Sequence, residues 1–244
     1  MSLIIQKLES LLGTKPIPSD NEKELFSRTQ IFVRSIKWIP GLQMVAVSNS
    51  LAMYATHPDS DIDLFIINTP NRLWIVRTLV LLTAELLGIR TKPHDEAGKF
   101  CFPFFMTNAN LNLEGIAIEN DIYLAYWIQT LKPIFDMNNT YAQLMEVNQR
   151  FSENILQQAC CNLRENQTYL MKIPDNVNIS RLWNLLSPLL SSIDRFFGYI
   201  SKKRIAKKIP SEGLEGIVVN ENMIKLHWKD RRKEIREEIL KTSA

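Results

Sequence analysis

The stretch richest in chemistry is VAVSNSLAMYATHPDSDIDLFIIN, which holds Ser48-Asn49-Ser50 and, ten residues on, Asp61-Ile62-Asp63. Residues i and i+2 of a strand point to one face. Asp61 and Asp63 therefore project together, while Ile62 and Leu64 turn to the core. Two carboxylates side by side repel and draw in a cation. Ligands that are all oxygen suit Mg²⁺, which also takes substrate phosphates. Metal held this way stabilises the attacking and leaving oxygens of phosphoryl transfer. An Asp-x-Asp pair on a surface strand is equally well read as solvated charge. The apolar run Leu64-Phe65-Ile66-Ile67 that follows points instead to the mouth of a buried strand.

Short apolar runs at 44–47 and 62–67 read as strands, flanked by turn formers. Helical spacing predicts a helix over 22–39, stopped by Pro40-Gly41, and another over 73–87. A third strand is expected at 100–106, at a sheet edge or carrying a bulge because of Pro103. From residue 117 the pattern is mainly helical, with segments at 121–131, 141–164 and 180–208. Ser180 could cap the last of these, and Pro188 should kink it. Residues 217–219 and 223–226 read as a small hairpin around Asn220-Glu221-Asn222, followed by a charged helix over 229–240. The expected class is α+β. An N-terminal mixed sheet with flanking helices (1–116) precedes a mostly helical C-terminal region (117–244).

Other reactive residue types have plainer readings. His57 and His94 lie beside prolines in polar loops, and three scattered histidines give no zinc spacing. Cys101, inside an apolar strand, reads as a packing residue. Lys99 is either a strand-end charge or a group facing a ligand. Tyr123, Tyr126 and Trp127 fall at helical spacing and read as core, with a base-stacking platform as the alternative.

The segment from Val45 to Asn68 resembles the signature of the DNA polymerase β-like nucleotidyltransferase superfamily. There a strand leads into a Gly-Ser turn opening a short helix, and Asp-x-Asp lies on the next strand. Further stretches resemble a bacterial group of nucleotidyltransferase-domain proteins: Asn71-Arg72-Leu73-Trp74, Lys99-Phe100-Cys101, Asp121-Ile122-Tyr123-Leu124-Ala125-Tyr126-Trp127 and Leu226-His227-Trp228-Lys229-Asp230-Arg231-Arg232. The resemblance implies that Asp61 and Asp63 hold one or two Mg²⁺ ions. It implies that Ser48, Asn49 and Ser50 bind nucleotide, with backbone N–H groups meeting the phosphates. The implied reaction transfers a nucleoside monophosphate from Mg²⁺–NTP to an acceptor hydroxyl. Two features depart from the pattern. Asn49 stands where the turn glycine would be. No carboxylate occupies the third strand, though Asp95, Glu96 and Glu114 lie nearby in sequence. The alternative is therefore a catalytically degenerate member that binds nucleotide, nucleic acid or a protein.

Composition sets the remaining bounds. The 244 residues are 45% hydrophobic and 23% charged, with only 8 Gly and 11 Pro, which excludes collagen-like and low-complexity classes. Cys101, Cys160 and Cys161 form neither a complete pairing nor a CxxC, so a reducing, cytoplasmic compartment is expected. The N-terminus lacks the layout of a signal peptide. The most membrane-like run, 73–89, contains Arg77 and Glu85, and no stable membrane insertion is expected. Residues 195–244 carry 13 Lys/Arg and 7 Asp/Glu. Lys202, Lys203, Arg204, Lys207 and Lys208 could meet RNA or another polyanion; otherwise they form a solvated helix face.

Overall fold

The computed structural model describes residues 3–156, 168–171, 186–207, 216–227 and 230–241. Its centre is a six-stranded mixed sheet of order β4-β1-β2-β3-β6-β5. The strands are β1 (Leu42–Val47), β2 (Ile62–Asn68), β3 (Phe100–Thr107), β4 (Lys132–Asp136), β5 (Ile217–Val219) and β6 (Met223–Leu226). Only β2 and β3 run parallel, and they are joined by the crossover helix α4 (Leu73–Leu86). The other neighbours are antiparallel. The class is α+β, as the residue pattern predicts.

Helices cover both faces. On one, α2 (Asp20–Ile36), α4 and α7 (Ser187–Ala206) bury Phe26, Val33, Val76, Val80 and Ile205 against Val45, Leu64 and Ile66. On the other, α1 (Leu3–Leu12), α5 (Ile122–Thr130), α6 (Thr140–Leu156) and α8 (Arg232–Lys241) close over Phe65 and Ile67. The period of two along β2 thus divides its side chains between two cores, and Asp61 and Asp63 are in phase with Phe65 and Ile67. Burying an aromatic side chain such as Phe65, which has no exposed surface, contributes about 1.5–3 kcal/mol.

Several expectations are refined. Helix α2 begins at Asp20, because Ser19 and Glu22 form a reciprocal capping box. Strand β4 was not legible: its five residues follow α5 directly, and Pro133 is tolerated because β4 lies at the sheet edge. Strand β3 is internal, but it does carry a bulge. Asp63 pairs with Cys101 and Phe65 with Phe104, leaving one extra residue on β3 at Phe102-Pro103. Pro188 sits in the first turn of α7 rather than kinking it, where its missing N–H costs nothing. The division at residue 116 runs through one sheet, since β4, β5 and β6 join strands from the N-terminal half. Ser180, Cys160, Cys161, Lys208, Trp228 and Lys229 lie outside the described residues.

Among the described residues no helix is long and apolar enough to cross a membrane. The run at 73–89 becomes α4, whose buried side includes Trp74, Val76 and Val80.

Candidate functional site

The turn between β1 and α3 (Asn49–Ala52) is where the local sequence forces an unusual backbone. Asn49 has φ of +53°, in the left-handed region. Asparagine is among the few non-glycine residues that visit it readily. Strand β1 hands over to the turn at Ser48, whose N–H donates to the Asp63 carbonyl at 3.0 Å and whose hydroxyl approaches the same oxygen at 3.4 Å. Ser48 is buried, while Asn49 and Ser50 are partly exposed. The turn is thereby fixed to the strand that carries the aspartates.

Asn49 also works through its side chain. Its Nδ2 donates to Oδ2 of Asp63 at 2.7 Å. Its Oδ1 accepts from Nε1 of Trp127 at 2.9 Å and from the Tyr123 hydroxyl at 3.5 Å. One residue therefore links the β1 turn, the acidic strand and α5. Glycine could supply the backbone but not this bridge.

Asp61, Asp63 and Cys101 bring their carboxylate oxygens and thiol sulfur within 4.8 Å of one another. Cys101 is thus more than the packing residue its apolar strand suggested. It stands opposite Asp63 in the β2–β3 register, so the flanking position on the third strand carries a thiol rather than a carboxylate. Burial raises the pKa of Asp63, and the neighbouring Asp61 charge adds to this, against hydrogen bonds from Asn49 and Cys101. Burial also raises that of Asp61, with a further push from Glu96. The Cys101 thiol is pushed well above its ordinary value by burial and by both aspartates, so it is a neutral hydrogen-bond donor here. The donor set is one of two hard oxygens and one soft sulfur. The oxygens fit Mg²⁺, and the protonated thiol does not.

Beside the turn lies a cleft of about 200 Å³. It is lined by Ser48, Asn49, Phe104, Tyr123 and Trp127 together with Lys225, His227, Asp230, Arg231 and Arg232, and Phe104 and Lys225 are cross-strand neighbours on β3 and β6. Tyr126 is fully buried, as its helical spacing predicts, whereas Tyr123 and Trp127 also present surface to this cleft. Burial lowers the pKa of His227, and Lys225 lowers it further, which favours neutral imidazole.

Lys225, Asp230 and Arg232 of this lining belong to a buried ionic cluster that unites two sequence motifs. Asp121 caps α5 by accepting from the Leu124 N–H at 2.9 Å. It also receives Nη1 of Arg232 at 2.6 Å, while Nη2 of Arg232 and Nζ of Lys225 meet Asp230 at 2.8 and 3.2 Å. Arg232 is only 6% exposed. The charged C-terminal helix α8 is consequently not charged on every side. It buries Arg232, Ile235 and Ile239 and exposes Glu234, which pairs with Arg231 just before the helix.

The remaining candidates fall outside. His57 and His94 are exposed. Lys99 pairs with Asp95 at 2.5 Å and is a strand-end charge. Glu96, exposed on the loop before β3, is the one of the three nearby carboxylates whose charge reaches Asp61. The basic run of α7 is separate from the cleft and packs on the other face of the sheet, against α4. No family model, no curated protein and no solved structure matches this chain.

Proposed function

We propose that this chain is a nucleotidyltransferase that transfers a nucleoside monophosphate from Mg²⁺–NTP to an acceptor hydroxyl. One observation carries the reading. Asp61, just before β2, and Asp63, within it, bring their carboxylates together beside the Ser48-Asn49-Ser50 turn, and Ser48 and Asn49 of that turn border the cleft of about 200 Å³. In this reading Asp61 and Asp63 hold the cation through oxygen. Ser48, Asn49 and Ser50 line the phosphate path; the Ser48 N–H is spent on Asp63, so the phosphates would meet the N–H groups of Asn49 and Ser50 at the start of α3. Trp127 and Tyr123 offer aromatic surface to the base, and Arg231 lines the same cleft. Bound Mg²⁺ would supply charge neutralisation on the phosphates. Glu96, whose charge reaches Asp61, is the candidate for taking the acceptor proton in this reading. A reducing, cytoplasmic setting belongs to the same reading and suits the free Cys101 thiol.

A second reading, a nucleotide binder without transfer, is favoured by Cys101 opposite Asp63 and by the Asn49 amide already seated on that carboxylate. One experiment separates the two. Titration calorimetry with Mg²⁺–ATP and Mg²⁺–GTP is run on wild type and on Asp61→Asn/Asp63→Asn, beside incorporation of labelled nucleotide into cell-extract acceptors. Binding and incorporation that both vanish in the double variant support transfer. Binding that vanishes without any incorporation by wild type supports the binder. Affinity equal in the two proteins removes the site.

A further inference from the structure

The inward side of α7 is consumed by the fold. Arg72 reaches across to the Ser191 hydroxyl at 2.9 Å and to the Ser187 carbonyl at 3.0 Å. The Asp194 carboxylate accepts from the Trp74 and Ile75 N–H groups at 2.9 and 2.8 Å, capping α4. Gly198 lets the Trp74 ring lie against the helix, because a Cβ there would come within 2.8 Å of it. The helix's one carboxylate is thus spent inside the molecule.

The outward side is different. Leu189, Phe196 and Tyr199 are 58%, 60% and 61% exposed. Beyond them Lys203, Arg204 and Lys207 are exposed, as is Arg195 before them. Among the described residues none of these four cations is within salt-bridge distance of a carboxylate, whereas Lys202 is paired with Glu221 at 2.5 Å. Lys203 instead lies over the Tyr199 ring and contacts its hydroxyl. From Phe196 to Lys207 the helix advances about 16 Å. Exposed aromatic faces beside unpaired cations are what a single-stranded nucleic acid needs. Bases stack on the rings, and phosphates meet the cations. A helix lying in a membrane interface carries its cations opposite the apolar strip. Here Lys203 and Lys207 continue the aromatic strip along the axis, Arg195 and Arg204 flank it on either side, and the inward side is covered by protein.

We propose that the outward face of α7, formed by Arg195, Phe196, Tyr199, Lys203, Arg204 and Lys207, binds single-stranded nucleic acid. The site lies across the sheet from Asp61 and Asp63 and does not depend on nucleotide transfer there.

The test is fluorescence anisotropy of the full chain with a labelled twelve-nucleotide oligo(U), an oligo(dT) and a duplex, across a salt series. Vesicles with 30% anionic lipid form a separate arm. The expected result is binding to both single strands in preference to the duplex, with a log–log salt slope of about −3 for four phosphate contacts. Lys203→Gln/Arg204→Gln/Lys207→Gln should flatten the slope to about −1. Phe196→Ala and Tyr199→Ala should each weaken binding by about tenfold. All are surface positions, and matching circular dichroism melts verify folding. Mg²⁺–ATP should not compete, and Asp61→Asn should bind the oligonucleotide as wild type does, whether or not the transferase reading holds. The proposal is overturned by no binding at 25 mM salt, by unchanged affinity in the triple variant, by silent aromatic variants with equal duplex binding, or by binding to vesicles alone.

Discussion

Replacing Asn49 by alanine and by glycine separates the two tasks this residue performs. Both variants lose the amide that spans Asp63 and Trp127, with hydrogen bonds of 2.7 and 2.9 Å. A hydrogen bond to a charged group is worth about 1.5–3 kcal/mol, and a buried donor without an acceptor costs about 1–3 kcal/mol. Trp127 borders the cleft, so water can replace part of the lost bonding. Asn49→Gly should therefore cost about 2–4 kcal/mol. Alanine carries a further penalty, because at φ of +53° its Cβ crowds the carbonyl oxygen. That adds about 1–2 kcal/mol relative to glycine. Urea unfolding at constant m-value measures both differences. The same substitutions release Oδ2 of Asp63, so Asn49→Gly should bind Mg²⁺–ATP at least as tightly as wild type despite its lower stability. Alanine and glycine variants of equal stability would refute the backbone argument. A glycine variant within about 0.5 kcal/mol of wild type, well below the cost expected for the hydrogen bonds, would refute the bridge.

Glu22 is buried and ties the α2 cap to the loop before β2. Burial pushes its pKa up, but the Ser19 and Thr56 N–H groups and Lys15 outweigh that and hold it at about 2, against 4.5 for the free group. A lowered folded value means stability that is present above pH 4.5 and lost as pH falls toward 2, about 3 kcal/mol in all. Glu22→Gln should remove that dependence, and urea midpoints at pH 7 and pH 3 that shift as in wild type would contradict it. Arg232→Met strands the Asp121 and Asp230 carboxylates and should cost about 3–5 kcal/mol. The thermal midpoint should fall by about 10 °C, and Asp230→Asn in the same chain should recover part of it; a fall under about 2 °C would show the cluster to be dispensable.

Periodicity along the chain determined much of this protein. The short apolar run over residues 62–67 made β2 a strand, and the period of two along it set Asp61 and Asp63 on one face, because side-chain direction in a strand follows from local geometry alone. The capping pair Ser19 and Glu22, the turn at Asn49 and the apolar stripes of α2 and α4 are likewise local signals. What lay beyond the sequence is everything set by register and docking. Cys101 meets Asp63 only because β3 runs parallel to β2 with that pairing, and an apolar strand residue looks the same whatever stands beside it. Strand β4 is short and belongs to a helical neighbourhood, so it exists through its bonds to β1 rather than through its own pattern. Arg232 looks like one more charge of a solvated helix until α8 closes on α5. Asp121, 111 residues earlier, then supplies the partner that makes its burial tolerable. The tertiary structure decided these points, because contacts between residues far apart in the chain depend on how whole elements pack, and local sequence does not encode them.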